Sequence, residues 1–295
     1  MPRPWLRKLA VAVLAVNLAL AGYGIGHHHT QSLKVTFLDV GQGDAAVIQT
    51  PGGRVVLIDT GGTSATSGNI DQNQGRLVVE PYLRHEGVSH IDAILLSHPH
   101  ADHIGGADTL INDIPTDLIV DNGEPTEPPL EQKILADAAA KHTAYRQANR
   151  GQTIDLGEGV RAEILAPTEA ERDRDRPNNC SIVVRLVYGK TTFLFMGDAE
   201  KAEEEELLSL GSRLKCDVLK VGHHGSNTSS IADFVAAAHP SIAVISVGAH
   251  NRYGHPGDEV IQRLKGSGAR VDSTDQEGAV TCTSDGETVT VQTMH

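Results

Sequence analysis

The sequence places three imidazoles and one carboxylate within six residues, at His98, His100, Asp102 and His103, directly after the apolar run at 91–96. Ligands so close along the chain cannot all surround one ion, so the spacing predicts two adjacent metal sites. One ion would be held by His98 and His100, and the other by Asp102 and His103, which lie past a turn. Nitrogen and oxygen ligands without a thiolate suit zinc, manganese or iron. A polar loop with chance histidines is the alternative, and it is disfavoured because a strand end gains nothing from such a cluster.

Further candidate ligands follow two later apolar runs. Asp198 comes after the run at 193–196 and a glycine, where one carboxylate can place an oxygen on each of two cations. An ordinary turn aspartate is the alternative there. His223 and His224 follow the run at 217–221, and neighbouring residues at a strand end face different ways. The residues alone therefore leave open which of the two is a ligand and which contacts substrate.

The candidate catalytic residues are Asp102, His223 and His255. The imidazole of His255 suits either proton donation to a leaving group or a hydrogen bond to a ligand. We expect Ser226 or Asn227 to cap the helix that follows, whose first amides would then face an anion.

Two aspartates beside glycines, Asp44 and Asp59, are predicted to orient ligand imidazoles from behind, with ordinary turn aspartates as the equal alternative. Two close cations lower the pKa of a shared water, and the resulting hydroxide can attack phosphorus or a carbonyl. The segment at 41–44 lacks the lysine and the spacing of a phosphate-binding loop. The sequence therefore predicts a metal-dependent hydrolase.

The elements that must position these residues alternate between strands and helices in both halves of the chain. Apolar strands end in polar residues at Asp59, His98, Asp198 and His223, which predicts one site at the mouth of two packed sheets. We expect an α/β fold. The acidic run at 203–206 is interpreted as the solvated face of a helix.

Composition excludes some function classes. The chain of 295 residues has a net charge of -13, and its lysines and arginines form no basic stripe, which argues against a tight, non-specific nucleic-acid binder. A phosphodiester substrate remains compatible, because bound cations would supply local positive charge. Substrate is the predicted partner, either a small molecule or a nucleic-acid phosphodiester, and the oligomeric state is left open.

The first residues predict a targeting segment. Arg3, Arg7 and Lys8 precede an apolar run at 9–20, and small residues then fit a cleavage site. Residues 1–31 are therefore predicted to be a signal peptide or a signal anchor with a linker, followed by one hydrolase domain at 32–295. We expect the protein to be exported, either extracellular or periplasmic, with a membrane anchor as the alternative to cleavage.

Seven motifs resemble the metallo-β-lactamase superfamily, and specifically the hydrolase domain of ComEC-type DNA-uptake proteins. They stand at residues 37–45, 57–62, 97–106, 178–181, 195–198, 220–226 and 253–256. The resemblance implies a four-layer αββα sandwich built from two similar halves, with a centre of two divalent ions, zinc or manganese. In that family pattern His98 and His100 hold one ion, Asp198 bridges, and the other ion is held by Asp102, His103 and His224.

The chain departs from the wider superfamily at Asn179, which stands where hydrolases of β-lactams carry another histidine. This argues against β-lactam hydrolysis and leaves open a mononuclear or manganese-dependent centre. The many membrane spans of the ComEC-type channel are absent from this sequence, so a role in DNA uptake does not carry over directly. We expect a phosphodiesterase or nuclease-like enzyme; an acyl hydrolase such as a lactonase, or a non-catalytic metal-binding accessory protein, are the alternatives.

Overall fold

A computed structural model describes residues 32–62, 73–123, 129–172 and 176–294. The predicted leader at 1–31 lies outside these residues, so its boundary with the predicted hydrolase domain stays a prediction. Within the described ranges, the helices are all too short or too polar to cross a membrane.

The secondary structure is numbered in chain order. The strands are β1 (Leu33–Phe37), β2 (Ala46–Gln49), β3 (Val55–Ile58), β4 (Ala93–Leu96), β5 (Leu118–Asp121), β6 (Ala144–Gln147), β7 (Thr153–Asp155), β8 (Val160–Ala166), β9 (Val183–Tyr188), β10 (Thr191–Phe195), β11 (Val218–Lys220), β12 (Ile242–Ile245), β13 (Arg270–Ser273), β14 (Val280–Ser284) and β15 (Val289–Thr293). The α-helices are α1 (Glu80–His85), α2 (Ala101–Ile104), α3 (Ala107–Asp113), α4 (Pro129–Ala140), α5 (Lys201–Leu207), α6 (Ala232–Ala238), α7 (Asp258–Gly266) and α8 (Thr274–Glu277). Shorter helical turns stand at Gly75–Val79, Glu169–Glu171, Pro177–Cys180, Leu208–Leu214 and Gly222–Gly225.

The strands form two sheets of related design. One sheet has the order β15-β14-β1-β2-β3-β4-β5-β6, and the other has the order β13-β12-β11-β10-β9-β8-β7. In each sheet, antiparallel strands lead into a parallel group, β3 to β6 in the first and β10 to β13 in the second. The parallel strands need crossover connections, and these carry helices. The prediction of two similar halves is thereby confirmed.

Strand side chains alternate between an inner and an outer core. In β4, Ala93 and Leu95 join the cluster between the sheets, whereas Ile94 and Leu96 pack towards α1 and α3. The two sheets meet where the Phe37 and Phe195 rings lie 5.8 Å apart, centroid to centroid. The second sheet packs its outer face, which includes Leu194, against α6 and α7. The layers are therefore helix, sheet, sheet and helix, as expected for the four-layer sandwich.

Two expectations about local structure fail, one of them in part. The acidic run was expected to be solvated, and Glu205 and Glu206 are exposed, but Glu203 is 2% exposed and Glu204 is 0% exposed, because α5 turns these two side chains into the protein. Ser226 does not cap the next helix, since α6 begins only at Ala232 and the Ser226 hydroxyl contacts Thr228 instead. The backbone amides of Ser230 and Ile231 before α6 donate to the Glu204 carboxylate, at 2.6 and 2.8 Å.

Candidate metal centre

The strand ends named from the sequence converge on one cavity of about 310 Å³. Parallel strands present their carboxyl ends at the same edge, so the loops after β3, β4, β10 and β11 lie side by side. The cavity is lined by Gln42, His100, Ala101, Asp102, Asp198, His223, His224, Arg252, Tyr253 and His255.

Local conformation explains how the histidine cluster divides. His100 is extended, with φ -75° and ψ 142°, and α2 starts directly after it. His98 and His100 therefore belong to the strand extension, whereas Asp102 and His103 project from a helical turn. The Nε2 atom of His98 lies 2.9 Å from Nδ1 of His100, so the first pair aims at a common point.

Asp198 lies between two sets of imidazoles. Its Oδ1 is 3.2 Å from Nε2 of His103 and 3.6 Å from Nε2 of His224. Its Oδ2 is 3.7 Å from Nε2 of His98 and 3.8 Å from Nε2 of His223. Each carboxylate oxygen thus faces two ring nitrogens, which is the placement that a bridging ligand requires.

The backbone before Asp198 fits tightly. Gly197 has φ 53°, and a Cβ at this position would lie 2.9 Å from the side chain of Ser181. The Ser181 hydroxyl accepts a hydrogen bond from the Asp198 amide at 3.0 Å. A glycine is required here because the chain must turn in the left-handed region while touching its neighbour.

Unpaired buried atoms in this cavity fit a metal ion. Nε2 of His103, Nε2 of His224 and Oδ1 of Asp198 are buried without a hydrogen-bond partner among the described residues. Buried polar atoms are normally paired. Ligand atoms of His98, His103 and Asp198 lie within 4.8 Å of one another, and so do those of Asp102, His103 and His224. These convergent, unpaired nitrogen and oxygen atoms are suitable ligands for zinc or manganese.

Asp59 orients His103 of the cluster from behind and also holds Ser97. Its Oδ2 accepts hydrogen bonds from Nδ1 of His103 at 2.9 Å and from the Ser97 hydroxyl at 2.7 Å, and its Oδ1 accepts the Ser97 amide at 2.7 Å. With Nδ1 of His103 held by a carboxylate, Nε2 is left to face the cavity. This is the outer contact common around metal-bound histidines.

Asp44 supports His224 and is paired with a lysine that the sequence analysis missed. Nδ1 of His224 lies 3.3 Å from Oδ1 of Asp44 and 2.9 Å from the carbonyl of Ser246. Nζ of Lys220 lies 2.6 Å from Oδ2 of Asp44. Burial alone would raise the pKa of Asp44, but Lys220 and His224 hold it at about 2. The only sequence signal for Lys220 was a cation inside an otherwise apolar strand.

Charges in the cavity are balanced between acids and imidazoles. Burial opposes ionisation of Asp198, yet His103 and His224 keep its pKa well below the usual range. The pKa of His103 is well above the usual value, because Asp198 and Asp59 outweigh burial. Against the same burial penalty, Asp198 and Asp44 raise the pKa of His224 to about 10. Binding a cation would therefore displace protons from these rings.

His223 is aimed by a second residue that the sequence analysis missed, Glu200. Nδ1 of His223 lies 3.1 Å from Oε1 of Glu200 and 3.2 Å from the hydroxyl of Thr228. The Thr228 hydroxyl also donates to Oε1 of Glu200 at 2.8 Å. A carboxylate–imidazole pair thus borders the cavity, with Nε2 of His223 towards Asp198. The sequence carried a weak signal, an acid two residues after a strand-end aspartate.

Asn179, in the helical turn at Pro177–Cys180, contacts the start of α5 and does not line the cavity. Its Oδ1 accepts the amides of Glu200 and Glu203 at 3.2 and 3.4 Å, and its Nδ2 donates to Oε2 of Glu200 at 3.4 Å. The residue therefore holds the helix terminus and Glu200, and reaches His223 only through that carboxylate.

His255 borders the cavity beside His223. Its ring centroid is 5.7 Å from that of His223. Burial, followed by the nearby His223 and His224, lowers the pKa of His255. The structure thus brings His98, His100, Asp102, His103, Asp198, His223, His224 and His255 together, with Asp44 and Asp59 behind them.

Comparisons with known proteins agree with this arrangement. A family model described as the metallo-beta-lactamase superfamily matches residues 38–250. The chain is 35% identical over 255 residues to ComE operon protein 3 of Bacillus subtilis, covering 84% of this chain and 32% of that protein. It is 32% identical over 279 residues to competence protein ComA of Neisseria gonorrhoeae, covering 94% of this chain and 35% of that protein. The chain spans about a third of the length of these relatives.

Among solved structures, the chain resembles Igni18, a metallo hydrolase from the archaeon Ignicoccus hospitalis. The TM-score is 0.53 at 18% identity, and the match covers 84% of this chain and 98% of that one. This likeness supports the fold.

Proposed function

Because the chain belongs to the metallo-beta-lactamase superfamily of metal-dependent hydrolases, we propose that it hydrolyses phosphodiester bonds in the manner of a nuclease. The observation that carries the proposal is Asp198, whose two oxygens each face two imidazoles in one cavity. The competence name of one relative supports a nucleic-acid substrate.

The proposed centre has two ligand sets for divalent ions, zinc or manganese. His98 and His100 would hold one ion with Oδ2 of Asp198, and the other would be held on the Oδ1 side by Asp102, His103 and His224. When bound, the ions would lower the pKa of a water towards neutrality and offset charge on the phosphate.

Other side chains would manage protons and orientation. His223, with Nδ1 towards Glu200, is placed to give a proton to the leaving oxygen. Asp102 has a pKa well below the usual range, because His224 and His103 outweigh burial, so it is available as a charged acceptor at neutral pH. The neutral form of His255, which also lines the cavity, can hydrogen-bond the substrate.

The surroundings favour a phosphodiester over an uncharged ester. Arg252 is the only lysine or arginine among the ten residues that line the cavity in the described ranges. A guanidinium suits a phosphate oxygen better than it suits the neutral carbonyl of a lactone.

The test is hydrolysis of bis-p-nitrophenyl phosphate by protein purified without chelators, beside a lactone and p-nitrophenyl acetate. We expect diester hydrolysis that is lost with chelator and restored by manganese or zinc. Bound metal counted by mass spectrometry gives the number of ions. Full diester activity after complete metal removal, or turnover of the acyl substrates alone, would overturn the proposal.

We also propose that residues 1–31 direct export, so that the enzyme acts outside the cytoplasmic membrane. The support is the sequence pattern of charged, apolar and small residues. Expression of the full chain with fractionation and sequencing of the mature N-terminus tests this; cytoplasmic, unprocessed protein would contradict it.

A further inference from the structure

The mouth of the cavity carries an exposed aromatic ring that the chemistry above does not use. Tyr253 is 50% exposed and lines the same cavity as Asp198 and His223. Three other large apolar side chains of the described residues are comparably exposed, Leu77, Tyr145 and Met294, and none of them lines this cavity. An exposed ring beside a hydrolytic centre is available to a ligand.

The ring is held in place by its neighbours. It lies nearly parallel to the His255 imidazole, at 16° and 5.8 Å between centroids. The Arg252 guanidinium lies 5.1 Å from the Tyr253 ring centroid, and Nη2 of Arg252 donates to the Tyr253 hydroxyl at 3.1 Å. Tyr253 thus continues a stack that begins inside the cavity at His255.

The loop under the ring is braced by one side chain, Asn251. Its Oδ1 accepts the amides of Tyr253 and His255, both at 3.1 Å. Its Nδ2 donates to the carbonyls of Gly248 and His255, at 3.0 and 2.6 Å. Little ordering is therefore left for a ligand to impose when it stacks on Tyr253.

Charge explains why stacking would matter here. The protein has a net charge of -13, so long-range attraction for a polyanion is absent and binding must come from local contacts. An aromatic ring beside a single guanidinium matches the two parts of a nucleotide, a flat base and a phosphate.

We propose that Tyr253 is the stacking platform for an unpaired nucleobase next to the scissile phosphate, and that Arg252 leaves the ring face, where the base then stacks, to contact a neighbouring phosphate. The substrate class is single-stranded nucleic acid, because bases inside a duplex are already stacked on one another. The inference rests on the proposed phosphodiesterase function and adds which diesters the site prefers.

The experiment compares three fluorescein-labelled substrates of equal length, namely oligothymidylate, an oligomer with abasic sites throughout, and a duplex, with bis-p-nitrophenyl phosphate measured in parallel. For the wild-type protein with manganese, we expect the lowest KM for oligothymidylate and a KM about tenfold higher for the abasic oligomer. Tyr253→Ala should raise the KM for oligothymidylate by a similar factor, with a smaller change in kcat, and should abolish the difference between the two oligomers. Tyr253→Phe should restore the low KM, because it keeps the ring.

Tyr145→Ala is the matched control, since Tyr145 is 51% exposed on the edge strand β6 and does not line the cavity. Its KM values should equal those of the wild type. Equal wild-type KM for base-bearing and abasic oligomers, or an unchanged KM in Tyr253→Ala, would overturn the platform while leaving the hydrolase intact. Cleavage of bis-p-nitrophenyl phosphate without cleavage of any oligomer would do the same. A protein that cleaves none of these diesters would overturn the phosphodiesterase proposal and the platform together.

Discussion

Buried carboxylates in two regions of this protein, at the cavity formed by the strand ends and on α5, have pKa values that move in opposite directions. In the cavity, Asp44 and Asp198 have lowered pKa values, because Lys220 and the imidazoles outweigh burial. On α5, burial raises the pKa of Glu204 to about 7.

The neighbouring Glu203 shows the same behaviour more strongly. Burial raises its pKa well above the usual value, and the nearby Glu171 and Glu206 add to the effect. The difference between the two places lies in what surrounds each acid. The cavity supplies positive partners that keep carboxylates charged, as metal ligands must be, whereas burial on α5 disfavours the charged forms of Glu203 and Glu204.

Asp198 and Glu203 give the most direct test of this comparison, because both residues are 2% exposed. Asp198→Asn should lower kcat by about a thousandfold or more, because a metal centre contributes several kcal/mol to the transition state. Glu203→Gln should leave kcat within about twofold, since a neutral acid is replaced by a neutral amide. Steady-state kinetics and metal content measure both.

A loss of kcat in Glu203→Gln as large as that in Asp198→Asn would contradict the proposed difference between α5 and the cavity. So would an Asp198→Asn protein that keeps both its metal and its turnover.

The second prediction separates proton transfer from metal binding. His223→Ala should lower kcat about a hundredfold, the usual size of a general-acid contribution, with bound metal unchanged. Glu200→Gln should give a smaller loss in the same direction, because it only orients His223. The measurements are kcat and metal content by mass spectrometry, and loss of metal from His223→Ala would show that this ring is a ligand instead.

The third prediction concerns the outer carboxylate of the cavity. Asp59→Asn should weaken metal binding by about 10- to 100-fold, because His103 loses the charged acceptor at Nδ1. Activity should return when more metal is added, and titration calorimetry with Mn²⁺ gives the affinity.

Asp217→Asn is the control for this variant, since Asp217 also accepts a backbone amide, that of Thr192, at 2.8 Å, but its other side-chain partner is the Thr192 hydroxyl rather than a histidine. Equal metal affinity in Asp59→Asn and the wild type would show that Asp59 is only a turn aspartate.

Much of the fold could be predicted because local patterns carry it. The strands at 55–58 and 93–96 are apolar runs bounded by turns. The spacing of the cluster predicts that the side chains of His98 and His100 point one way and that of Asp102 another. The strands β6 and β7 escaped prediction because they are short and polar; β6 lies at a sheet edge with all its residues exposed.

The missed parts of the site depend on contacts between distant segments. Lys220 gains its role only when β11 brings it to Asp44, and Glu200 only when the loop before α5 meets His223. The burial of Glu204 likewise depends on the segment at 230–231, which covers one face of α5. An acidic run alone cannot reveal which of its residues will be covered.

The smallest effect on turnover and the clearest effect on stability are expected from Glu204→Gln. The folded pKa of Glu204 is about 7 because of burial, against an ordinary value of 4.5 in the unfolded chain. Between those values the folded protein holds a proton that the unfolded chain has released, so this residue lowers the free energy of unfolding as pH rises, by up to about 3 kcal/mol in all. Its favourable contribution is fully present below pH 4.5 and is lost once the pH passes 7.

Glutamine does not titrate, so the difference in stability between Glu204→Gln and the wild type should shift in favour of the variant as pH rises from 4.5 to 7, and then become constant. A constant offset is also expected, because glutamine keeps only one of the two side-chain oxygens that accept from the Ser230 and Ile231 amides and replaces the other with an NH₂ donor. Urea unfolding of both proteins across this pH range measures the difference. A pH-independent difference would mean that Glu204 is charged in the folded protein, as the buried carboxylates at the cavity are.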